Sequence, residues 1–175
     1  MEEKTFGCCF TGYRPKKFPF PLDSGNGEYV AFENSLIDAI AELAGLGYET
    51  FYSGMAMGFD IIAAECVLLL KKTPKFKNAD IKLVCALPFL DQSDGYPADW
   101  KKRYDGVIAL ADSTVIISNE YYRNCYFDRN RFLVDNSDCV VTWFDGSPGG
   151  TKNTLTYAKK AGRKIINLNS EYKDD

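Results

Sequence analysis

CVVTWFDGSPGGTKNTLTYAKKA, residues 139–161, passes from an apolar run through a glycine–proline turn into a stretch with helical spacing. Cys139 to Phe144 has the length and the β-branched, aromatic content of a buried strand. The helix expected from about Thr151 to Ala161 is closed by Gly162, and a last strand from Lys164 to Leu168 follows directly. Strand, glycine turn, helix, strand is the repeating unit of a parallel sheet.

Working outward from this stretch, the same alternation recurs toward the N-terminus. Strands are expected at 5–10, 49–52, 81–87 and 113–117, with helices at about 28–46, 59–72, 98–111 and 126–136. In the first helix Val30, Leu36, Ile37, Ile40 and Leu43 recur mostly at three- and four-residue steps, and Gly45 and Gly47 stop it. The fold class that follows is α/β: a three-layer arrangement with a mainly parallel sheet and helices on both faces. With 175 residues and a prior of about 100–200 residues per domain, one domain spanning 1–175 is expected.

Composition removes several kinds of chemistry. There is no histidine, which excludes Ser-His-Asp and Cys-His catalysis. The six cysteines (Cys8, Cys9, Cys66, Cys85, Cys125 and Cys139) form no C-x-x-C pair, so they read as structural thiols in a reducing compartment and no metal site is expected. A net charge of −3 offers no global field for nucleic acid. The first residues are acidic, unlike a signal peptide, and no apolar run reaches the roughly 18–20 residues of a membrane span. The expectation is a cytoplasmic protein with no membrane partner.

Parallel sheets bind ligands outside the carboxyl ends of their strands, and three glycine-bearing loops fall there. They are Thr11-Gly-Tyr-Arg-Pro15, Ser53-Gly-Met-Ala-Met-Gly58 and Gly146 to Thr151, each expected to lead into a helix that presents unpaired N–H groups. The third is the most informative, because Pro148-Gly-Gly-Thr151 sets two glycines and a hydroxyl at the first turn of a helix, where unpaired N–H groups attract anions. It follows neither the Walker pattern nor Gly-x-Gly-x-x-Gly.

Taken in order, TGYRP (11–15), SGMAMGFDIIAAE (53–65), ALPF (86–89), RNRFLVDNSDCVV (129–141) and GSPGGT (146–151) resemble the SLOG superfamily, in particular its YpsA-like branch, over roughly residues 5–169. The resemblance implies a Rossmann-like fold and a pocket for a nucleotide or nucleotide-derived ligand. It lines that pocket with the loops at 11–14, 53–60 and 146–154, which hold Thr11, Gly12, Arg14, Ser53, Gly54, Met55, Ala56, Gly58, Asp60, Gly146, Gly149, Gly150, Thr151 and Thr154; Arg129 and Asn130 join these candidates from their place on the helix before the fifth strand.

Two related branches imply other functions. The LOG phosphoribohydrolases carry Pro-Gly-Gly-x-Gly-Thr-x-x-Glu, but here the glutamate position holds Tyr157 or a neighbouring neutral residue. DprA, which binds single-stranded DNA on a basic surface, shares a loop similar to Ser53–Asp60, and the net charge of −3 argues against that partner.

Individual residues carry two readings each. Arg14 is either a bidentate anion contact or a solvated side chain, and Asp60 either a helix-capping carboxylate or a ribose ligand. Arg129 and Asn130 face the pocket, or Arg129 neutralises Glu65, whose apolar neighbours require a partner. Loop aromatics such as Tyr13 and Tyr126 stack a base or simply pack. The leading expectation is a binding or sensing module for a phosphate-bearing nucleotide such as an ADP-ribose-like or NAD-like molecule, with no cofactor evident. The alternative is an N-glycosidase using Asp60 or Asp145 as acid/base. A homodimer is compatible with the resemblance, though no apolar stripe defines an interface. Lacking histidine, the pocket is expected to bind its ligand evenly between pH 5 and 8 unless a tuned carboxylate or thiol titrates there.

Overall fold

The computed structural model describes residues 6–173; Thr5, read as the first strand residue, lies outside them. Strands β1 (Phe6–Gly12), β2 (Tyr48–Ser53), β3 (Lys82–Leu87), β4 (Ser113–Ile116), β5 (Cys139–Trp143) and β6 (Lys164–Asn167) alternate with helices α1 (Gly27–Gly45), α2 (Phe59–Lys71), α3 (Ala98–Leu110), α4 (Cys125–Asp135) and α5 (Gly150–Lys160). They form a Rossmann-like α/β fold. One further element, a single 3-10 turn at Pro15–Lys17, has no apolar periodicity to announce it.

The sheet has six strands in the order β4-β3-β2-β1-β5-β6. All its pairings are parallel, where the sequence indicated a mainly parallel sheet. Each strand but the last is followed by a helix, so no hairpin arises to introduce an antiparallel edge. β5 is buried along its whole length and β1 from Gly7 to Thr11, while the edge strand β4 is largely open to solvent and the other edge, β6, is mostly half-buried. That is the burial expected of a sheet covered by helices on both faces.

Helices α1, α2 and α3 pack in sequence, and α4 packs on α5. Phe10, Phe51, Phe59, Leu36, Ile40 and Leu43 are fully enclosed in the core. Gly12 is required at its position, because a Cβ there would fall 2.3 Å from the ring of Phe59. All six cysteines are free and buried, and burial pushes the thiols of Cys9, Cys66 and Cys85 up to about 12, so they behave as packing groups. Among the described residues no helix is long and apolar enough to cross a membrane.

The chain begins at β1 in the middle of the sheet, steps outward to β4, then returns through α4 to β5 on the other side of β1. The connections leaving β1 and β5 therefore diverge, opening a crevice at their carboxyl ends, where Gly12 is paired with Trp143.

Candidate functional site

A cavity of about 280 Å³ occupies this crevice. β1 and its loop contribute Thr11, Gly12, Tyr13, Arg14 and Lys17; the segment entering α2 gives Ala56 and Asp60; α4 gives Tyr126, Arg129 and Asn130; α5 gives Gly150 and Thr151. Its walls thus carry three cations against one carboxylate, a local positive excess in a chain whose net charge is −3.

The floor is built by the loop after β2. Met55 has φ 59°, a left-handed conformation that costs a non-glycine residue energy. Three bonds hold it: the Ser53 hydroxyl accepts from the Met55 N–H at 3.2 Å and donates to the Asp60 carbonyl at 2.8 Å, and the Tyr96 hydroxyl donates to the Met55 carbonyl at 3.1 Å. The Gly54 carbonyl accepts from Gln92 Nε2 at 3.0 Å and from Arg129 Nη1. A Cβ on Gly54 would lie 2.5 Å from that guanidinium, so any larger residue would have to displace Arg129. Gly58 has φ 92°, and its missing Cβ admits the Tyr13 carbonyl of the β1 loop.

Arg129 is 4% exposed, with Nε donating to Asn130 Oδ1 at 2.8 Å and Nη1 to Gly54. Burial pulls the guanidinium below its ordinary value, and the facing Asp60 opposes that. Asp60 is itself 5% exposed and accepts from the Ala56 N–H at 3.3 Å. Burial raises its carboxyl to about 6, with Arg129, the Ala56 N–H and Arg14 pulling the other way. Tyr126 stands between two guanidiniums, those of Arg14 and Arg129, each 5.9 Å from its ring centre.

The opposite wall is the start of α5. Gly149 is its N-cap, no side chain caps it, and its first turn contains no acid. Gly150 has open space around it, and Lys17 reaches across with Nζ donating to the Pro148 carbonyl at 3.0 Å. The β1 and β5 loops are pinned together by Tyr13, whose hydroxyl donates to Asp145 and lies 2.8 Å from Ser147 Oγ. That bond holds the Asp145 carboxyl below its ordinary range. Uncapped N–H groups, an acid-free first turn and neighbouring cations together suit an anion.

Of the sequence-derived residues, Thr11, Gly12, Arg14, Ala56, Asp60, Arg129, Asn130, Gly150 and Thr151 meet at this cavity. Thr154 lies just beyond it and donates to the Gly150 carbonyl at 3.0 Å. Ser53, Gly54, Met55 and Gly58 stand behind the wall, where they fix the backbone that holds Arg129 and Asp60. Gly149 caps α5 against Lys17, and Gly146, with φ 90°, packs on Tyr172 away from the cavity.

Two expectations need correction. Glu65 is neutralised by Arg103 of α3, at 2.9 and 2.5 Å, rather than by Arg129. The first glycine loop does not lead into an open helix end, since Asn26 caps α1 by accepting from the Glu28 and Tyr29 N–H groups. Lys17 was missed because, beside Lys16, it reads as an ordinary surface lysine; its place after Tyr13-Arg-Pro was the available signal.

Residues 8–171 match the family described as the YspA SLOG family (YpsA). The chain is 32% identical over 136 residues, 70% of its own length and 77% of the relative's, to the uncharacterized SPbeta prophage-derived protein YoqJ of Bacillus subtilis strain 168. It is 26% identical over 168 residues, 93% of its length and 86% of the relative's, to a UPF0398 protein of Bacillus thuringiensis strain Al Hakam. Among solved structures it resembles DNA processing protein A from Streptococcus pneumoniae with TM-score 0.61 and 17% identity, covering 92% of this chain and 49% of that one.

Proposed function

The chain belongs to the YspA SLOG family, and from that premise we propose that its switch-point cavity binds a phosphate-bearing nucleotide or nucleotide derivative, as a cytoplasmic binding or sensing module. The observation that carries this reading is the uncapped, acid-free N-terminus of α5 opening into a cavity walled by Arg14, Lys17 and Arg129. A phosphate seated there would take N–H groups from α5 and a guanidinium from the facing wall. Asp60, the one carboxylate lining the cavity, suits a ribose hydroxyl.

The test is a thermal-shift and calorimetric panel of AMP, ADP, NAD and ADP-ribose. Ligand at about 100 times its dissociation constant adds roughly 2.7 kcal/mol of stability. The reading predicts a rise in Tm for phosphate-bearing members, and level melting curves across the panel would overturn it. Salt-dependent binding of an oligonucleotide in place of the small ligands would favour the single-strand alternative; likeness at 17% identity supports the fold alone.

Asp60 also favours a second reading, hydrolysis of an N-glycosidic bond. A carboxyl at about 6 in a cavity wall is suited to moving a proton near neutral pH. Asp145, the other acid considered, is tied to Tyr13 and Ser147 and held low. Release of free base from AMP, abolished in Asp60→Asn, would establish this reading.

A further inference from the structure

Beside the phosphate cavity lies a second, smaller cleft of about 150 Å³ between α4 and α5, which the sequence did not announce. Resting on the nucleotide reading above, we propose that this cleft receives the nucleobase of the ligand whose phosphate sits at the start of α5. The two spaces adjoin: Tyr126, Asn130 and Gly150 line both. A ligand leaving the α5 N-terminus along this side meets Tyr126, Phe127 and Tyr157, aromatic side chains able to stack on a base. Phe127 is 52% exposed at the cleft.

The polar groups suit a base edge rather than a second phosphate. Asn130 spends its Oδ1 on Arg129, which leaves its amide N–H₂ as a donor. Asn153, one turn into α5, is exposed at the cleft, and its carboxamide offers a donor and an acceptor together. That pair matches the adjacent donor and acceptor of adenine. Arg131 lies over the rings of Phe127 and Tyr157, at 5.6 and 5.0 Å from their centres, and steadies both.

Calorimetry of AMP, GMP and ribose 5-phosphate against the parent and Asn153→Trp tests this. The indole would fill the cleft from an exposed helical position, leaving the core untouched. Base stacking is worth about 1–3 kcal/mol, so AMP is expected to bind the parent roughly five- to 150-fold more tightly than ribose 5-phosphate. GMP is expected to bind more weakly than AMP. In Asn153→Trp the AMP advantage should vanish while ribose 5-phosphate binds as before. An AMP advantage that survives the substitution would put the base elsewhere and leave the phosphate site standing. An equal affinity of the parent for AMP and ribose 5-phosphate would show that no base is read. If neither compound binds the parent, the nucleotide reading fails, and this inference fails with it.

Discussion

The loops at 53–60 and 146–151 look alike in sequence, each a glycine-bearing turn between a strand and a helix, yet they do opposite work. The first is internally satisfied. Ser53, Gln92, Tyr96 and Arg129 occupy its backbone groups, the Phe59 N–H donates to the Tyr13 carbonyl, and Asp60 places a carboxylate at the first turn of α2. The second is left open: α5 begins without a side-chain cap or an acid. A glycine loop before a helix thus offers open N–H groups to an anion only where its own residues do not already satisfy the helix end. In this protein the first loop positions an arginine, and the second presents the N–H groups.

The largest effect should come from attacking the closed loop. Arg129→Ala leaves the Gly54 carbonyl and the Asp60 carboxylate without their buried cation, a class of change that costs about 3–5 kcal/mol. A sharp fall in Tm is expected. Arg14→Ala, at an exposed position, should leave Tm unchanged while weakening AMP by about 1.5–3 kcal/mol, the scale of a charge-assisted hydrogen bond. Equal Tm values for the two variants would erase the distinction between wall and seat.

Next comes pH. Asp60 moves from an ordinary 3.8 to about 6 on folding. Its folded value is raised, so its contribution to stability is fully present below about pH 4 and is lost as pH rises through about 6. Asp60→Asn, neutral throughout, should lack this loss, so the stability gap between variant and parent should move in the variant's favour from below pH 4 to pH 7.5, by on the order of 3 kcal/mol. Urea melts at both pH values measure it, and a gap independent of pH would contradict the assignment. Asp60 is the kind of tuned carboxylate that the expectation of a level pH profile excepted, and a step in that profile is expected from it. Because the ionised carboxylate repels an anion, ADP-ribose, which has no terminal phosphate to titrate, should bind more tightly at pH 5.5 than at pH 7.5.

The smallest effect separates the two loops by size alone. Gly150→Ala meets nothing within 4 Å and should melt within about a degree of the parent. Gly54→Ala, with its Cβ 2.5 Å from Arg129, should lose about 1–3 kcal/mol. Indistinguishable melting curves would mean that Gly54 is no more constrained than Gly150.

Much of this architecture is legible in the sequence, because each strand is a short apolar run and most helices end at glycine or before a turn. The expected helix at 98–111 lies at Ala98–Leu110, and that at 126–136 lies at Cys125–Asp135. The uncapped start of α5 was legible too, since Pro148-Gly-Gly-Thr151 contains no carboxylate to cap a helix. The partners of the charged groups were not. Arg129 donates to a carbonyl 75 positions away and Glu65 pairs across 38, distances over which local pattern carries no register. The α4–α5 cleft was hidden for the same reason: its walls meet only because the chain crosses back over the sheet between β4 and β5.

The most direct test of the account is calorimetric titration of AMP into the parent and into Gly150→Asp. Gly150 lies at the first turn of α5 without positive φ and with open space for a side chain, so the substitution adds a carboxylate to the seat without straining the fold. With a phosphate at the start of α5, binding at least tenfold weaker at an unchanged Tm is expected. Equal affinity in the two proteins would contradict it and remove the phosphate from the start of α5.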